Sequence, residues 1–188
     1  RQRQMCIRDS YKGIIMALKD KMMSYITEEE ISEMIKNLAR EIEMDYAGEE
    51  ILLVCPLKGS AFFVADLMRE IKLNQQVDFV YVTNKSSETG ERGGDIKFLK
   101  DISSDISKKN VLIVEEIIDT GRTLSFLKNR LLASGPKSLK IVCLLDKPAR
   151  RVISIKPDYV GRTIEDRYVV GYGMDEDELG RNYREIYH

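Results

Sequence analysis

The sequence predicts an α/β fold in which a mainly parallel central sheet is flanked by helices. Apolar runs typical of buried strands occur at residues 51–55, 111–114 and 139–145. The first two runs are each followed by a short turn and then by apolar residues at helical spacing, over 61–71 and 124–132. Strands that alternate with helices in this way favour a parallel sheet, because each helix returns the chain to the starting edge.

The N-terminal part of the chain is divided between a leader and the first helix of a domain. Residues 1–22 are expected to be a leader that is disordered or non-native in part, because the first ten residues show no clear periodicity. Residues 23–188 are expected to form a single domain. Its first helix is predicted to begin after Thr27, since Thr27 and Glu30 form a capping-box pattern and apolar residues up to Ile42 follow helical spacing.

Composition excludes several classes of function. The chain has 188 residues with a net charge of -1, so neither nucleic acid nor a membrane is expected as a partner. Three cysteines are too few for a disulfide framework and indicate a reducing, cytoplasmic setting, with Cys55 and Cys143 in the predicted core. The single histidine, His188, excludes a histidine-dependent catalytic triad and histidine-ligated metals.

The stretch 111–124 carries the strongest chemical signal. A buried strand ends in two carboxylates, Glu115 and Glu116, and a small-residue turn then leads into a helix. Backbone amides at a helix N-terminus favour a phosphate, and Thr120 and Thr123 add hydroxyl donors. The carboxylates would repel that phosphate and suit sugar hydroxyls or a divalent cation instead. The pattern therefore predicts a ribose 5-phosphate site.

This stretch resembles the phosphoribosyl-pyrophosphate (PRPP) binding motif of the type I phosphoribosyltransferases. Residues 117–123, Ile-Ile-Asp-Thr-Gly-Arg-Thr, are most similar to the hypoxanthine-guanine branch of that family. The resemblance covers about residues 25–188, and Glu116 stands where the family usually has aspartate. It implies the type I phosphoribosyltransferase fold, with a core over about 28–156 and a small hood from about 23–27 plus 157–188.

The resemblance also implies a set of site residues. Asp119 would be the catalytic residue, accepting a proton from the purine. The ribose phosphate of PRPP would contact Glu115, Glu116, Asp119, Thr120, Gly121, Arg122 and Thr123. Pyrophosphate would contact Leu57, Lys58, Gly59 and Arg181. The purine would contact Lys147, Tyr168, Val169 and Asp175. The metal ligands would be Glu115, Glu116 and Asp175. Within the acidic run 175–178, only Asp175 is assigned a role, because such a run is usually a solvated segment.

The implied activity is transfer of 5-phosphoribose from PRPP to N9 of a 6-oxopurine, with hypoxanthine or guanine as the base. The products would be pyrophosphate and the nucleoside monophosphate IMP or GMP, in purine salvage, with Mg²⁺ as cofactor. The family also implies a homodimer or homotetramer. A polar, glycine-rich loop at 83–95 is expected to be mobile and to close over the site.

Two alternatives remain open. A regulatory protein could bind PRPP and nucleotides on the same fold with little or no catalysis. Retention of Asp119, Lys147 and Asp175 argues against this, since a sensor does not need a proton acceptor. Transfer to a pyrimidine fits less well with Lys147 and with Tyr168 beside Val169.

Overall fold

The structure, a computed structural model, describes residues 22–84 and 96–188. Its strands are β1 (Ser24–Ile26), β2 (Ile51–Leu57), β3 (Gln75–Asn84), β4 (Ile96–Lys100), β5 (Asn110–Ile118), β6 (Ser138–Asp146), β7 (Tyr159–Thr163) and β8 (Ile186–Tyr187). Six of them form one sheet in the order β4-β3-β2-β5-β6-β7. Every neighbouring pair in it is parallel except β3 with β4. The predicted α/β fold with a mainly parallel sheet is confirmed.

Three α-helices flank this sheet: α1 (Glu28–Asp45), α2 (Ser60–Glu70) and α3 (Arg122–Leu132). A short 3₁₀ helix follows β6 at Pro148–Arg150. The predicted capping box is present, with the side chain of Thr27 accepting from the Glu30 amide and the Glu30 side chain accepting from the Thr27 amide. The helix that follows the acidic turn begins at Arg122, two residues before its first apolar position.

Two apolar layers bury both faces of the sheet. Leu53 and Cys55 of β2 pack with α1 and α2 on one face, while Leu52 and Val54 pack with α3 on the other. Alternate residues of a strand point to opposite faces, so a strand covered on both sides is apolar throughout. Cys143 in β6 is buried like Cys55, and both thiols are free, as predicted.

A second, two-stranded sheet joins the beginning of the described chain to its end. β1 pairs antiparallel with β8, which brings Ser24 opposite Tyr187. β7 lies within the range assigned to the hood from the sequence, yet it pairs with β6 in the main sheet. The part that we propose as the hood is therefore the β1–β8 sheet together with the segment between β7 and β8.

Two expectations fall on residues outside the described ranges. Residues 1–21 make up nearly all of the predicted leader, and residues 85–95 make up most of the predicted closing loop. β3 continues through Asn84, whose pairing partner is Ile96, so the first two residues assigned to that loop belong to the strand instead. Within residues 22–84 and 96–188, no helix is long and apolar enough to cross a membrane.

Asp78 ties the chain segment after β4 to strand β3. Its carboxylate accepts hydrogen bonds from the amides of Ser103 at 2.6 Å and Ser104 at 2.7 Å, and from Nζ of Lys100 at 3.1 Å. Burial alone would raise the pKa of Asp78, but the amides of Ser104 and Ser103 and the Lys100 ammonium together lower it to about 2.

Asp78 should therefore make stability depend on pH in the acid range. Its folded pKa lies below the usual 3.8, so its contribution is complete above about pH 4 and is lost as the pH falls through 2. The shift corresponds to about 2 kcal/mol. Urea unfolding should show Asp78→Asn less stable than wild type at pH 7, with the difference narrowing below pH 4. A difference independent of pH would contradict this assignment.

Candidate active site

The carboxyl ends of β2 and β5 open into one cavity of about 260 Å³. Parallel strands place the loops that follow them at one edge of the sheet, where ligands bind in open α/β folds. The cavity is lined by Pro56, Leu57, Lys58, Gly59, Val82, Glu115, Glu116, Ile117, Ile118, Asp119, Thr120, Gly121, Thr123, Leu124 and Arg181. It thus joins three predicted parts of the site: the phosphate turn (residues 120–123), the acidic pair (Glu115 and Glu116) and the pyrophosphate loop (residues 57–59). Arg181 of the C-terminal segment lines the same cavity.

The phosphate turn precedes α3 and presents the backbone amides of that helix. Gly121 is its N-cap and has a left-handed φ of +80°. The amide of Ser125 donates to the carbonyl of Gly121 at 2.9 Å, so the amides of residues 122–124 lie ahead of the helical hydrogen-bond ladder. Within residues 22–84 and 96–188, the Arg122 amide is the only one of these three with an acceptor, Oγ1 of Thr120 at 3.4 Å. This end of α3 is suited to an anion.

The segment after β6 donates hydrogen bonds to backbone carbonyls at the phosphate turn. The amides of Val152 and Ile153 donate to the carbonyl of Thr120 at 3.0 and 3.1 Å. The guanidinium of Arg151 donates to the carbonyl of Asp119 at 2.5 Å and pairs with Asp146. These contacts hold the backbone of the turn in place. Sequence reasoning did not single out Arg151, although an arginine just past a strand at the ligand-binding edge was a signal.

The two carboxylates after the apolar part of β5 occupy a desolvated site. Glu115 is buried and Glu116 half-buried. Burial, and then the charge of Glu116, hold the pKa of Glu115 well above its usual value. Burial also raises the pKa of Glu116, partly offset by its own backbone amide and by Arg181. Partners that stabilise the ionised form, such as ligand hydroxyls or a cation, are therefore favoured here.

Glycines bring three segments of the site into close contact. A Cβ added at Gly59 would overlap the carboxylate of Glu116, and a Cβ added at Gly173 would overlap the carbonyl of Gly59. Gly173 also has a φ of +99°, in the left-handed region that favours glycine. The end of β5, the loop after β2 and the C-terminal segment can approach this closely only without side chains at residues 59 and 173.

The pyrophosphate loop carries two features at the cavity. The Leu57–Lys58 peptide bond is cis. Nζ of Lys58 lies 2.9 Å from a carboxylate oxygen of Glu178, and this hydrogen bond is the main reason that the pKa of Lys58 is raised. Arg181, which also lines the cavity, donates to the carbonyl of Gly173 at 2.8 Å.

Buried polar atoms without a hydrogen-bond partner mark the site. Such atoms are rare in folded proteins and call for an explanation. Among the residues that the structure describes there are three, and two of them belong to predicted site residues: Oδ1 of Asp119 and Nε of Arg181. Oδ1 of Asp119 lies 2.9 Å from Nε of Arg150 in an ion pair that is not aligned as a hydrogen bond. Both residues line the cavity.

The predicted purine-binding residues form a group beside the cavity and do not line it. Lys147 is buried, and its Nζ donates to the carbonyl of Arg167 at 2.7 Å. Tyr168 is exposed, and its hydroxyl donates to the carbonyl of Asp175 at 2.9 Å. Val169 is buried. Arg122 and Asp175 also lie outside the lining. The assignments of these five residues stay predictions, as do those of the residues that line the cavity.

The predicted metal ligands do not form a complete cation site by themselves. Within the described ranges, no group of three acidic, histidine or cysteine side chains is arranged to hold a metal ion. One oxygen of Asp175 pairs with Arg181 at 2.8 Å and the other accepts from the Glu178 amide at 2.9 Å. Mg²⁺ usually takes one or two protein carboxylates together with substrate phosphates. Glu115 and Glu116, two adjacent carboxylates, have the donor atoms that a cation of that kind takes from a protein.

Comparison with known proteins agrees with this geometry. A family model for the phosphoribosyl transferase domain matches residues 24–177. The hypoxanthine-guanine phosphoribosyltransferase of Staphylococcus aureus (strain Mu50 / ATCC 700699) is 43% identical over 157 residues, which cover 84% of this chain and 87% of that protein.

Solved structures of such enzymes are also similar to the fold. One is a hypoxanthine-guanine phosphoribosyltransferase from Bacillus anthracis, with a TM-score of 0.81 and 46% identity, covering 88% of this chain and 95% of that one. Another is a hypoxanthine phosphoribosyltransferase from Staphylococcus aureus, with a TM-score of 0.86 and 40% identity, covering 90% and 92%. The resemblance drawn from residues 111–124 is confirmed. The chain belongs to the phosphoribosyl transferase family, and within it to the hypoxanthine-guanine phosphoribosyltransferases.

Proposed function

We propose that this protein transfers the 5-phosphoribosyl group of PRPP to N9 of hypoxanthine or guanine, releasing pyrophosphate and forming IMP or GMP for purine salvage. The observation that carries the proposal is the single cavity in which the phosphate turn, the acidic pair, Lys58 and Arg181 meet. Its polar groups match the three parts of PRPP. Backbone amides suit the 5-phosphate, carboxylates suit the ribose hydroxyls, and the cationic side chains suit the pyrophosphate. Identity of 43% to a curated relative supports the same activity.

Catalysis would depend first on charge at the leaving group. As the bond between C1 of the ribose and pyrophosphate breaks, negative charge grows on pyrophosphate and positive charge on the sugar. Lys58 and Arg181, which line the cavity, would stabilise the negative charge on pyrophosphate. The carboxylates of Glu115 and Glu116 would stabilise the positive charge on the sugar. The pair thus both binds the ribose hydroxyls and favours the cationic sugar.

Positioning is the second contribution. The amides at the start of α3 would hold the 5-phosphate, with Thr120 and Thr123 adding hydroxyl donors. The backbone of this turn is held by hydrogen bonds from Arg151, Val152 and Ile153. The bound 5-phosphate would therefore keep C1 of the ribose at a defined distance from the base. Fixing two reactants in this way can supply a large share of a rate enhancement.

Proton removal from the purine is assigned to Asp119. Asp119 lines the cavity next to the phosphate turn. Its buried Oδ1 has no hydrogen-bond partner in the described part of the chain. Nε of Arg150 lies 2.9 Å from this oxygen, and a carboxylate within reach of the base can accept its proton.

The base would be held by the group beside the cavity. Lys147 would donate to the exocyclic oxygen of a 6-oxopurine. Its ammonium has three N–H donors, and the carbonyl of Arg167 accepts from one of them. The exposed ring of Tyr168 offers a flat face for stacking, and the backbone of Val169 would contact the edge of the base. The family pattern for these residues supports these roles.

Mg²⁺ is the cofactor that the family implies for this reaction. When bound, the ion would supply positive charge to the pyrophosphate and the ribose oxygens. Glu115 and Glu116 are the side chains that would face it, with Asp175 as the third predicted ligand. The family further suggests a homodimer or homotetramer in the cytoplasm, which light scattering of the purified protein and cell fractionation would test.

An assay of the purified protein with PRPP and Mg²⁺ tests the proposal. Hypoxanthine, guanine, xanthine and uracil are supplied in turn, and pyrophosphate release and nucleotide formation are both measured. Turnover with hypoxanthine or guanine is the expected result. PRPP binding without pyrophosphate release would instead favour the regulatory protein, and turnover with uracil would favour a pyrimidine enzyme.

A further inference from the structure

One carboxylate oxygen joins the two cationic side chains at the leaving-group end of the cavity. Oε2 of Glu178 lies 2.9 Å from Nζ of Lys58 and 3.3 Å from NH2 of Arg181. The cations come from segments far apart in the chain, the loop after β2 and the segment before β8. A single oxygen that bridges both has the position that an oxygen of a bound polyanion would take.

The backbone around Glu178 is shaped to hold it there. Asp177 and Glu178 have φ values of +50° and +67°, so two consecutive non-glycine residues adopt the left-handed conformation. This conformation is unfavourable for side chains with a Cβ and persists only where other contacts compensate for it. Here the amide of Glu178 donates to Oδ2 of Asp175 at 2.9 Å, and its side chain makes the two ion pairs.

The same contacts can be broken at low cost. The side chain of Glu178 is 62% exposed and that of Lys58 is 49% exposed, whereas that of Arg181 is only 22% exposed. Exposed ion pairs are weak, and a pyrophosphate carries several negative charges against one on the carboxylate. An incoming pyrophosphate group can therefore replace Glu178, whose side chain has solvent to move into.

We infer that Glu178 is an internal competitor of pyrophosphate, which occupies Lys58 and Arg181 until the pyrophosphate group of PRPP or of the product displaces it. The inference rests on the proposed function, which assigns those two cations to pyrophosphate. Glu178 thereby weakens binding of PRPP and of pyrophosphate, and it re-occupies the cations as the product leaves. It is a residue that sets the affinity of the site without touching the reacting atoms.

The test compares Glu178→Gln with Asp177→Asn in the full chain. Both changes remove one negative charge from the same left-handed turn, but only Glu178 contacts Lys58 and Arg181. Calorimetric titration with magnesium pyrophosphate should show about three- to tenfold tighter binding for Glu178→Gln, as expected from the loss of two weak ion pairs. The KM for PRPP should fall by a similar factor, and Asp177→Asn should match wild type in both.

Further variants separate the ways in which this could fail. Glu178→Ala should also bind magnesium pyrophosphate more tightly than wild type. The effect of Glu178→Gln on this affinity should be smaller in a protein that also carries Lys58→Gln. Unchanged or weaker pyrophosphate binding by both Glu178 variants would overturn the inference, while weaker binding by Lys58→Gln would leave the proposed function standing. If neither Lys58→Gln nor Arg181→Gln weakened pyrophosphate binding, the assignment of the site would fail and the inference with it.

Discussion

Replacing Asp119 with asparagine should lower kcat by about 10²- to 10⁴-fold, the range for loss of a general base, while nucleotide affinity changes far less. The carboxylate has a buried oxygen without a hydrogen-bond partner in the described ranges and lies beside Arg150. An amide has nearly the same shape but cannot accept the purine proton. Steady-state kcat with hypoxanthine and the dissociation constant of IMP together check this result.

Asp166→Asn is the matched control for that variant. Asp166 also contacts Arg150, at 3.5 Å, and lies 3.6 Å from Nζ of Lys147, but it is not among the residues that line the cavity. Because exposed ion pairs contribute little, its kcat should stay within about fivefold of wild type. Similar losses in both variants would show that charge near Arg150 matters and that Asp119 is not the proton acceptor. An unchanged kcat in Asp119→Asn would also contradict the assignment.

Gly121→Ala should raise the KM for PRPP by about 10- to 100-fold, because displacing a bound group by even 1 Å can have that effect. The new Cβ would lie 2.8 Å from Cγ2 of Ile155 and 2.9 Å from the carbonyl oxygen of Ile153, so the phosphate turn must shift. The left-handed φ adds about 1–2 kcal/mol of destabilisation.

Gly135→Ala isolates the backbone part of that effect. Gly135 also has a left-handed φ, +67°, but a Cβ there meets nothing within 4 Å. It should lose a similar amount of stability to denaturant and keep the KM of wild type. If both alanine variants left the KM for PRPP unchanged, the turn before α3 would not be the phosphate site.

Much of the fold could be predicted because its signals are local. A strand buried on both faces must be apolar along its length, and this located β2 and β6 to within two residues at each end. It located the start of β5 to within one residue, but β5 continues four residues past its apolar run, through Ile118. The capping box at Thr27 is likewise a pattern within four residues, and the structure forms it. The edge strands β1, β7 and β8 are short and carry little periodicity, and they were not predicted as strands.

The candidate site was predictable where its residues follow one another in the chain. Glu115, Glu116, Asp119 and the turn at 120–123 lie in one motif, and all of them except Arg122 line the cavity. The contacts of the C-terminal segment could not be predicted in this way. The acidic run at 175–178 was interpreted as mainly solvated, whereas Glu178 reaches Lys58 across 120 positions of sequence.

The sequence by itself determined the α/β class, the strand–turn–helix unit that offers amides to a phosphate, and the carboxylates beside it. These follow from side-chain periodicity and from the chemistry of neighbouring residues, which need no knowledge of the rest of the chain. Only the tertiary structure decided that Arg151 supports the phosphate turn, that Gly59 and Gly173 touch, and that Glu178 holds two cations. Such contacts join segments brought together by sheet order and packing, and no local pattern specifies which side chains will meet.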